Sequence, residues 1–197
     1  IRSPDYLVVT SLQDFKNSNI GYPCVIKPNN EGSSVGVSIF TKPKKSDEEI
    51  VISLLKKYKL LILEKYIPGR EVQVAVMGSK ALGAIEIVPT RSFYDYEAKY
   101  SAKANTKHII PVKINETDYK KILDMALQAH NILGCRGVTR SDFRYNETEK
   151  TNKIYILEVN TQPGMTSLSL VPEIANYYGI SFNELVKWII NDASINR

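Results

Sequence analysis

The side chains best suited to chemistry in this 197-residue chain lie on two β-rich runs, Arg136–Tyr145 and Lys153–Val159, joined by the polar segment Asn146–Asn152. Folding the runs into a hairpin about residue 149 sets position 142 opposite about 156, and 140 opposite about 158. Strand side chains alternate faces, so Arg140 and Asp142 then share one side of the hairpin with Glu158 and Asn160. A one-residue slip would break that arrangement. Two carboxylates and an amide oxygen beside a guanidinium are hard oxygen ligands of the kind Mg²⁺ takes, with Arg140 poised for a developing anion. A surface ladder of ion pairs has the same composition. Against it, Glu158 interrupts the apolar run Ile154-Tyr-Ile-Leu-Glu-Val159, where an unpaired charge would be costly.

Three further stretches carry polar chemistry. Lys27-Pro-Asn-Asn-Glu-Gly-Ser-Ser-Val-Gly36 ends a strand on a lysine and continues into a loop whose glycines, amides and hydroxyls suit phosphate. It lacks the Gly-Lys-Ser/Thr of a Walker loop, and a plain strand-loop-strand turn reads the same way. Glu158-Val-Asn-Thr-Gln-Pro-Gly-Met-Thr-Ser-Leu-Ser-Leu170 runs from the acidic strand through hydroxyl residues to a helix start, where backbone amides can hold an anion. Leu61-Ile-Leu-Glu-Lys-Tyr-Ile-Pro-Gly-Arg-Glu71 reads as a buried strand leading into a hinge, or an ordinary linker. His108 has no nameable partner, His130 suits a helix C-terminal cap, and no Ser/His/Asp or Cys/His arrangement supports covalent catalysis.

The elements needed to position these groups alternate along the chain, which points to an α+β or α/β fold. Helices are expected from a capping box at Ser46-Asp-Glu-Glu49, from near Thr117 to Gly134, and from a second capping box at Ser181-Phe-Asn-Glu184. Strands are expected at Cys24–Lys27, Val35–Thr41, Leu60–Glu64, Glu71–Val76 and Ala81–Pro89, with Met77-Gly-Ser-Lys80 as a hairpin turn. Residues 89–111 show no period but gather Tyr94, Tyr96 and Tyr100 with Asp95, Glu97 and Lys99, as a functional lid would.

Composition narrows the rest. With 26 Lys+Arg against 21 Asp+Glu, the net charge of +5 is too diffuse for a nucleic-acid surface. No apolar run approaches the roughly 20 residues of a membrane helix. The two cysteines have no metal-ligand spacing and read as buried reduced thiols. The chain starts at Ile1, which reads as a missing upstream portion.

Val25-Ile-Lys-Pro with Glu31-Gly-Ser-Ser-Val-Gly36, Phe93-Tyr-Asp-Tyr-Glu-Ala-Lys-Tyr100 and Glu158-Val-Asn-Thr-Gln-Pro-Gly-Met-Thr166 together resemble the D-alanine–D-alanine ligases, ATP-grasp enzymes, across essentially the whole chain. The resemblance implies an α+β ATP-grasp fold of two lobes sandwiching ATP, with mixed or antiparallel sheets and flanking helices. Residues 1–63 would be a central lobe truncated at its start, and 64–197 a C-terminal lobe bearing the lid. The family's N-terminal domain, with its ammonium-binding acid and a second phosphate lysine, has no counterpart here.

Carried over by motif, Lys27 and the loop residues Ser33 and Ser34 would meet the nucleotide phosphates. Glu64, Lys65 and Ile67 would meet adenine, and Glu71 the ribose. Lys99 would reach the γ-phosphate with Tyr94 closing the site, and Tyr100 would bond towards Ser33 and Glu71. Asp142, Glu158 and Asn160 would hold two Mg²⁺ ions, or Mn²⁺. Arg140 and the Gly164 amide would stabilise the tetrahedral anion, with Ser169 and Leu170 on the second substrate's carboxylate. The implied reaction joins two D-alanines through an acyl phosphate for peptidoglycan synthesis, in a cytoplasmic enzyme that is a homodimer when full length. Tyr100 favours an amine as second substrate over D-lactate. Another ATP-grasp carboxylate–amine or D-Ala–D-lactate ligase, or an inactive nucleotide-binding fragment, remains as the alternative, and the chain alone is expected to be inactive or nearly so.

Overall fold

The computed structural model describes residues 1–88, 106–166 and 169–195. In chain order these form β1 (Tyr6–Val9), α1 (Leu12–Lys16), β2 (Cys24–Pro28), β3 (Ser38–Phe40), α2 (Lys45–Tyr58), β4 (Leu61–Lys65), β5 (Arg70–Met77) and β6 (Lys80–Val88). Then follow β7 (Lys107–Ile109), α3 (Glu116–Ile132), β8 (Val138–Tyr145), β9 (Ile154–Asn160), α4 (Leu170–Tyr177) and α5 (Phe182–Asp192).

The described residues divide into two compact units. The smaller is Pro4–Ile67, and the larger comprises Ile1–Ser3 with the residues from Pro68 onward. β4 runs through Lys65, so the division falls after that strand rather than at 63/64. Ile1–Ser3 joins the larger unit because the Arg2 carbonyl accepts from Ile156 N and its guanidinium meets Glu149 at 2.9 Å.

In the smaller unit an antiparallel sheet runs β1-β4-β2-β3. Period-two alternation sends Val9, Cys24, Ile26, Phe40, Leu61 and Leu63 into a core completed by Val51 of α2. Each such buried aliphatic side chain contributes about 1.5–3 kcal/mol relative to exposure. The opposite face keeps Val25, Lys27, Ile62 and Glu64 half-buried. β1 and the one-turn α1, capped by Ser11 and Asp14, are too short to announce themselves by periodicity. α2 begins at Lys45 rather than behind Ser46, because Asp47, not Glu49, folds back to accept from the N-cap amide of Lys44 at 3.0 Å.

The larger unit holds an antiparallel sheet ordered β7-β6-β5-β8-β9. Val72, Val74 and Val76 of β5, with Phe143, Tyr145 and Ile154, face Ile122, Met125 and Ala126 of α3. α4 packs against β5 and β6, and α5 against α4. A Cβ at Gly83 would stand 2.0 Å from the Tyr178 ring, so only glycine there lets that ring approach the sheet. The expected irregular stretch 89–111 is not irregular at its end: Lys107–Ile109 pairs with β6 as β7. Three residues are too few for a visible period, and residues 89–105 lie outside the described residues.

Candidate active site

In the smaller unit the Lys27 ammonium lies 2.9 Å from the Glu64 carboxylate, both largely shielded from water. Antiparallel pairing of Lys27 with Ile62 and of Val25 with Glu64 sets the two side chains diagonally on the half-buried face. Beyond Pro28 the loop makes two overlapping tight turns, Val35 N to Gly32 O at 3.0 Å and Val37 N to Ser34 O at 3.3 Å. Ser33 and Ser34 both have positive φ, +53° and +62°. Consecutive left-handed serines cost on the order of 1–2 kcal/mol each, and strain of this kind concentrates where a backbone is shaped for a ligand. Gly36 at φ +74° packs so closely on the Pro28 ring that a Cβ would stand 2.8 Å away. At the end of the unit, Lys65 N donates to Asp5 O and Tyr66 N to Pro23 O, while Ile67 is buried.

The larger unit carries the acidic groups on the sheet face turned away from α3. There Asp142 stands opposite Glu158 and Arg140 opposite Asn160. The expected register differs from this by two residues. Near the loop the strands pair Tyr145 with Ile154 and Phe143 with Ile156, one residue from expectation, which alone would send the two sets to opposite faces. A β-bulge between Asp142 and Phe143 absorbs Leu157 and adds the second residue. Parity returns, and the four side chains share one face as directly opposed pairs, about 4.5–5.5 Å apart in such ladders. Glu158 is exposed, so its apolar neighbours in sequence do not bury it as expected.

Arg140 grips Asp142 with two bonds, Nε to Oδ1 at 2.7 Å and Nη2 to Oδ2 at 3.0 Å, both side chains well buried. Along the same face Arg144 approaches Glu71 at 3.6 Å and donates to Gly69 O at 3.1 Å. Gln73 of β5 stands opposite Asp142, and no motif in the sequence singles it out. It is 1% exposed, and its Oε1 has no hydrogen-bond partner among the described residues. Its place beside the acids follows from β5–β8 pairing, which leaves no local trace in the sequence.

The loop after β9 is built around Ser169. Its Oγ accepts from Thr166 N at 2.9 Å instead of capping α4, and its N donates to Thr166 O at 3.0 Å. A Cβ at Gly164 would stand 2.9 Å from that Oγ, so glycine is what lets the loop close. Pro172 has no N–H, which leaves the Leu170 and Val171 amides as the donors at the helix start.

His108 does have a partner: its Nδ1 lies 2.6 Å from Glu173 Oε2 on α4. His130 does not cap a helix with its ring. It is 2% exposed, with Nδ1 2.9 Å from Thr139 Oγ1, and burial holds its pKa below the usual value. Cys24 is buried and its thiol is pushed up to about 11, which leaves it unreactive, whereas Cys135 is half-buried rather than buried. Tyr94, Lys99 and Tyr100 lie outside the described residues.

Among the described residues no cluster of three or more His, Cys, Asp or Glu side chains forms a metal cage. Two opposed carboxylates and an amide oxygen instead fit Mg²⁺, which takes one or two protein carboxylates and completes its shell with water and phosphate. Asn160 Oδ1 is oriented by accepting from Gln162 N at 3.1 Å.

Comparison with known proteins gives one family. Residues 3–191 match the family described as D-ala D-ala ligase C-terminus. A D-alanine–D-alanine ligase of Pelagibacter ubique is 54% identical over 179 residues, 91% of this chain and 57% of that protein. The chain therefore spans a little under three fifths of that relative's length. The D-alanine–D-alanine ligase of Bacillus anthracis superposes with a TM-score of 0.79 at 32% identity, covering 98% of this chain and 62% of that one. Its complex with ATP gives 0.73 at 29% identity, covering 98% and 61%. The VanG D-Ala:D-Ser ligase of Enterococcus faecalis gives 0.80 at 29% identity, covering 97% and 57%.

Proposed function

Since this chain belongs to the D-alanine–D-alanine ligase C-terminal family and has its ATP-grasp fold, we propose that it is the nucleotide- and metal-binding part of an enzyme that joins two D-alanines at the expense of ATP. The observation that carries the reading is the four-residue row on β8 and β9, with Asp142 opposite Glu158 and Arg140 opposite Asn160.

The roles follow from what each group can hold. Lys27 supplies a charge for the nucleotide phosphates, while Ser33 and Ser34 supply hydroxyls and a backbone already bent around them. Glu64 pairs with the Lys27 ammonium, so phosphate competes there with a carboxylate rather than with water. Glu64, Lys65 and Ile67 border the adenine, and Glu71 takes the ribose hydroxyls. Lys99, Tyr94 and Tyr100 complete the phosphate end. Asp142, Glu158 and Asn160 would hold Mg²⁺, which when bound neutralises phosphate charge and orients it for attack.

Arg140 holds Asp142 in place and turns its guanidinium to the anion that develops at the reacting carboxyl, together with the Gly164 amide. Ser169 and the amides of Leu170 and Val171 receive the second substrate's carboxylate. The first D-alanine carboxylate attacks the γ-phosphate, releasing ADP and forming an acyl phosphate, and the second D-alanine's amine, giving up a proton, displaces inorganic phosphate from it to form the amide. No protein nucleophile is required, because phosphoryl transfer rests on positioning and charge neutralisation.

The reading carries with it a cytoplasmic, homodimeric full-length enzyme in peptidoglycan precursor synthesis. Its test is ADP and phosphate release by the full-length protein given ATP, Mg²⁺ and D-alanine, with L-alanine, D-serine and D-lactate as controls. Turnover dependent on D-alanine supports it. ATP binding without D-alanine dependence moves the substrate to another amine or acid, and the likeness to a D-Ala:D-Ser ligase makes D-serine the second candidate.

A further inference from the structure

His108 and Glu173 are brought together from positions 65 residues apart, by a strand that among the described residues pairs with β6 alone, and by the first turn of α4. An ionised carboxylate is acceptor-only, so against it the 2.6 Å contact has His108 Nδ1 as the donor. Glu173 lies three residues past Leu170, about 4.5 Å along the helix axis at 1.5 Å per residue. An acid in a first helical turn normally favours the helix through its dipole. Here the same turn presents the Leu170 and Val171 amides, which the proposed function assigns to a substrate carboxylate. An uncompensated Glu173 would repel that anion across one helical turn.

We propose that His108 is a positioning residue for the second amino acid: by hydrogen-bonding Glu173 it holds that carboxylate towards β7, keeping the α4 start receptive to an anion. The inference rests on the ligase reading. Both side chains are half-buried, 24% and 35% exposed, so the pairing is shielded enough to matter yet open to the substrate's field.

The test is steady-state kinetics of the full-length protein with D-alanine saturation fitted to two sites, on H108A, E173Q and H108A/E173Q, with a thermal midpoint for each. H108A should raise the KM of the second D-alanine about 3- to 10-fold while kcat and the KM for ATP stay within about twofold. E173Q alone should leave that KM unchanged or lower it. The double variant should return to within about twofold of the unsubstituted protein, because no carboxylate then needs to be held towards β7. A double variant as impaired as H108A, or an H108A with unchanged KM, overturns the inference and leaves the ligase reading standing. An unsubstituted protein without D-alanine-dependent phosphate release overturns both.

Discussion

At the scale of single residues, the acids of the candidate site differ in what holds them. Asp142 is fixed by two charge-assisted bonds from Arg140, whereas Glu158 is exposed. Removing the Glu158 charge therefore disturbs packing little and metal binding greatly. Glu158→Gln in the full-length protein should lower D-alanine-dependent turnover at least about 100-fold with the thermal midpoint little changed. Phosphate release and a melting curve check this together, and unimpaired turnover would remove Glu158 from the metal set. His130 gives a pH prediction. Its pKa is depressed in the folded chain by burial, so the unfolded chain binds the proton more readily. The neutral ring's contribution is fully present above the unfolded value of about 6.5 and is lost as pH falls below it. The melting temperature of the unsubstituted chain should thus drop faster between pH 7.5 and 5 than that of His130→Gln. Parallel curves would contradict the assignment.

At the scale of elements, the site depends on how strands end. Gly69, with φ +111°, brings the start of β5 so close to the end of β8 that a Cβ would lie 2.2 Å from Tyr145 O. Arg144 donates to the Gly69 carbonyl and approaches Glu71, so this turn also sets the proposed ribose acid. Gly69→Ala should cost about 2–4 kcal/mol of stability, through strain at positive φ and a backbone clash that no rotamer relieves. Denaturant unfolding of the chain measures it, and a loss below about 0.5 kcal/mol would mean that the turn can move. The bulge at Leu157 is the other decisive element: without it Glu158 and Asn160 of β9 would face α3, and the row on β8 and β9 would not exist.

At the scale of the whole molecule, the chain covers 57% of the length of its Pelagibacter relative. Lys27 with its turn and the Asp142–Glu158 row belong to different units, each with its own core. The chain by itself should bind ATP with Mg²⁺ yet form no D-alanyl-D-alanine at a rate approaching that of the full-length enzyme. Calorimetry for binding and phosphate release for turnover decide it. Normal turnover by the chain alone would show that nothing outside these residues is needed. Among the described residues no helix is long and apolar enough to cross a membrane.

Much was legible in the chain before folding, because it is written in local chemistry. The Ser181–Glu184 capping box, the stop at Gly134 and the alternation of β2 and β4 each involve residues within a turn or a strand of one another. The motifs around Lys27 and Glu158 likewise carry the family resemblance in residue type and spacing. Tertiary structure alone decided the pairings that join distant segments: His108 with Glu173, Gln73 opposite Asp142, and Arg144 beside Glu71. It also decided the hairpin register. A bulge changes which residue faces which by a backbone adjustment of one residue, and the face that Phe143, Tyr145 and Ile154 must bury is set by a helix outside the hairpin, with Ile122, Met125 and Ala126.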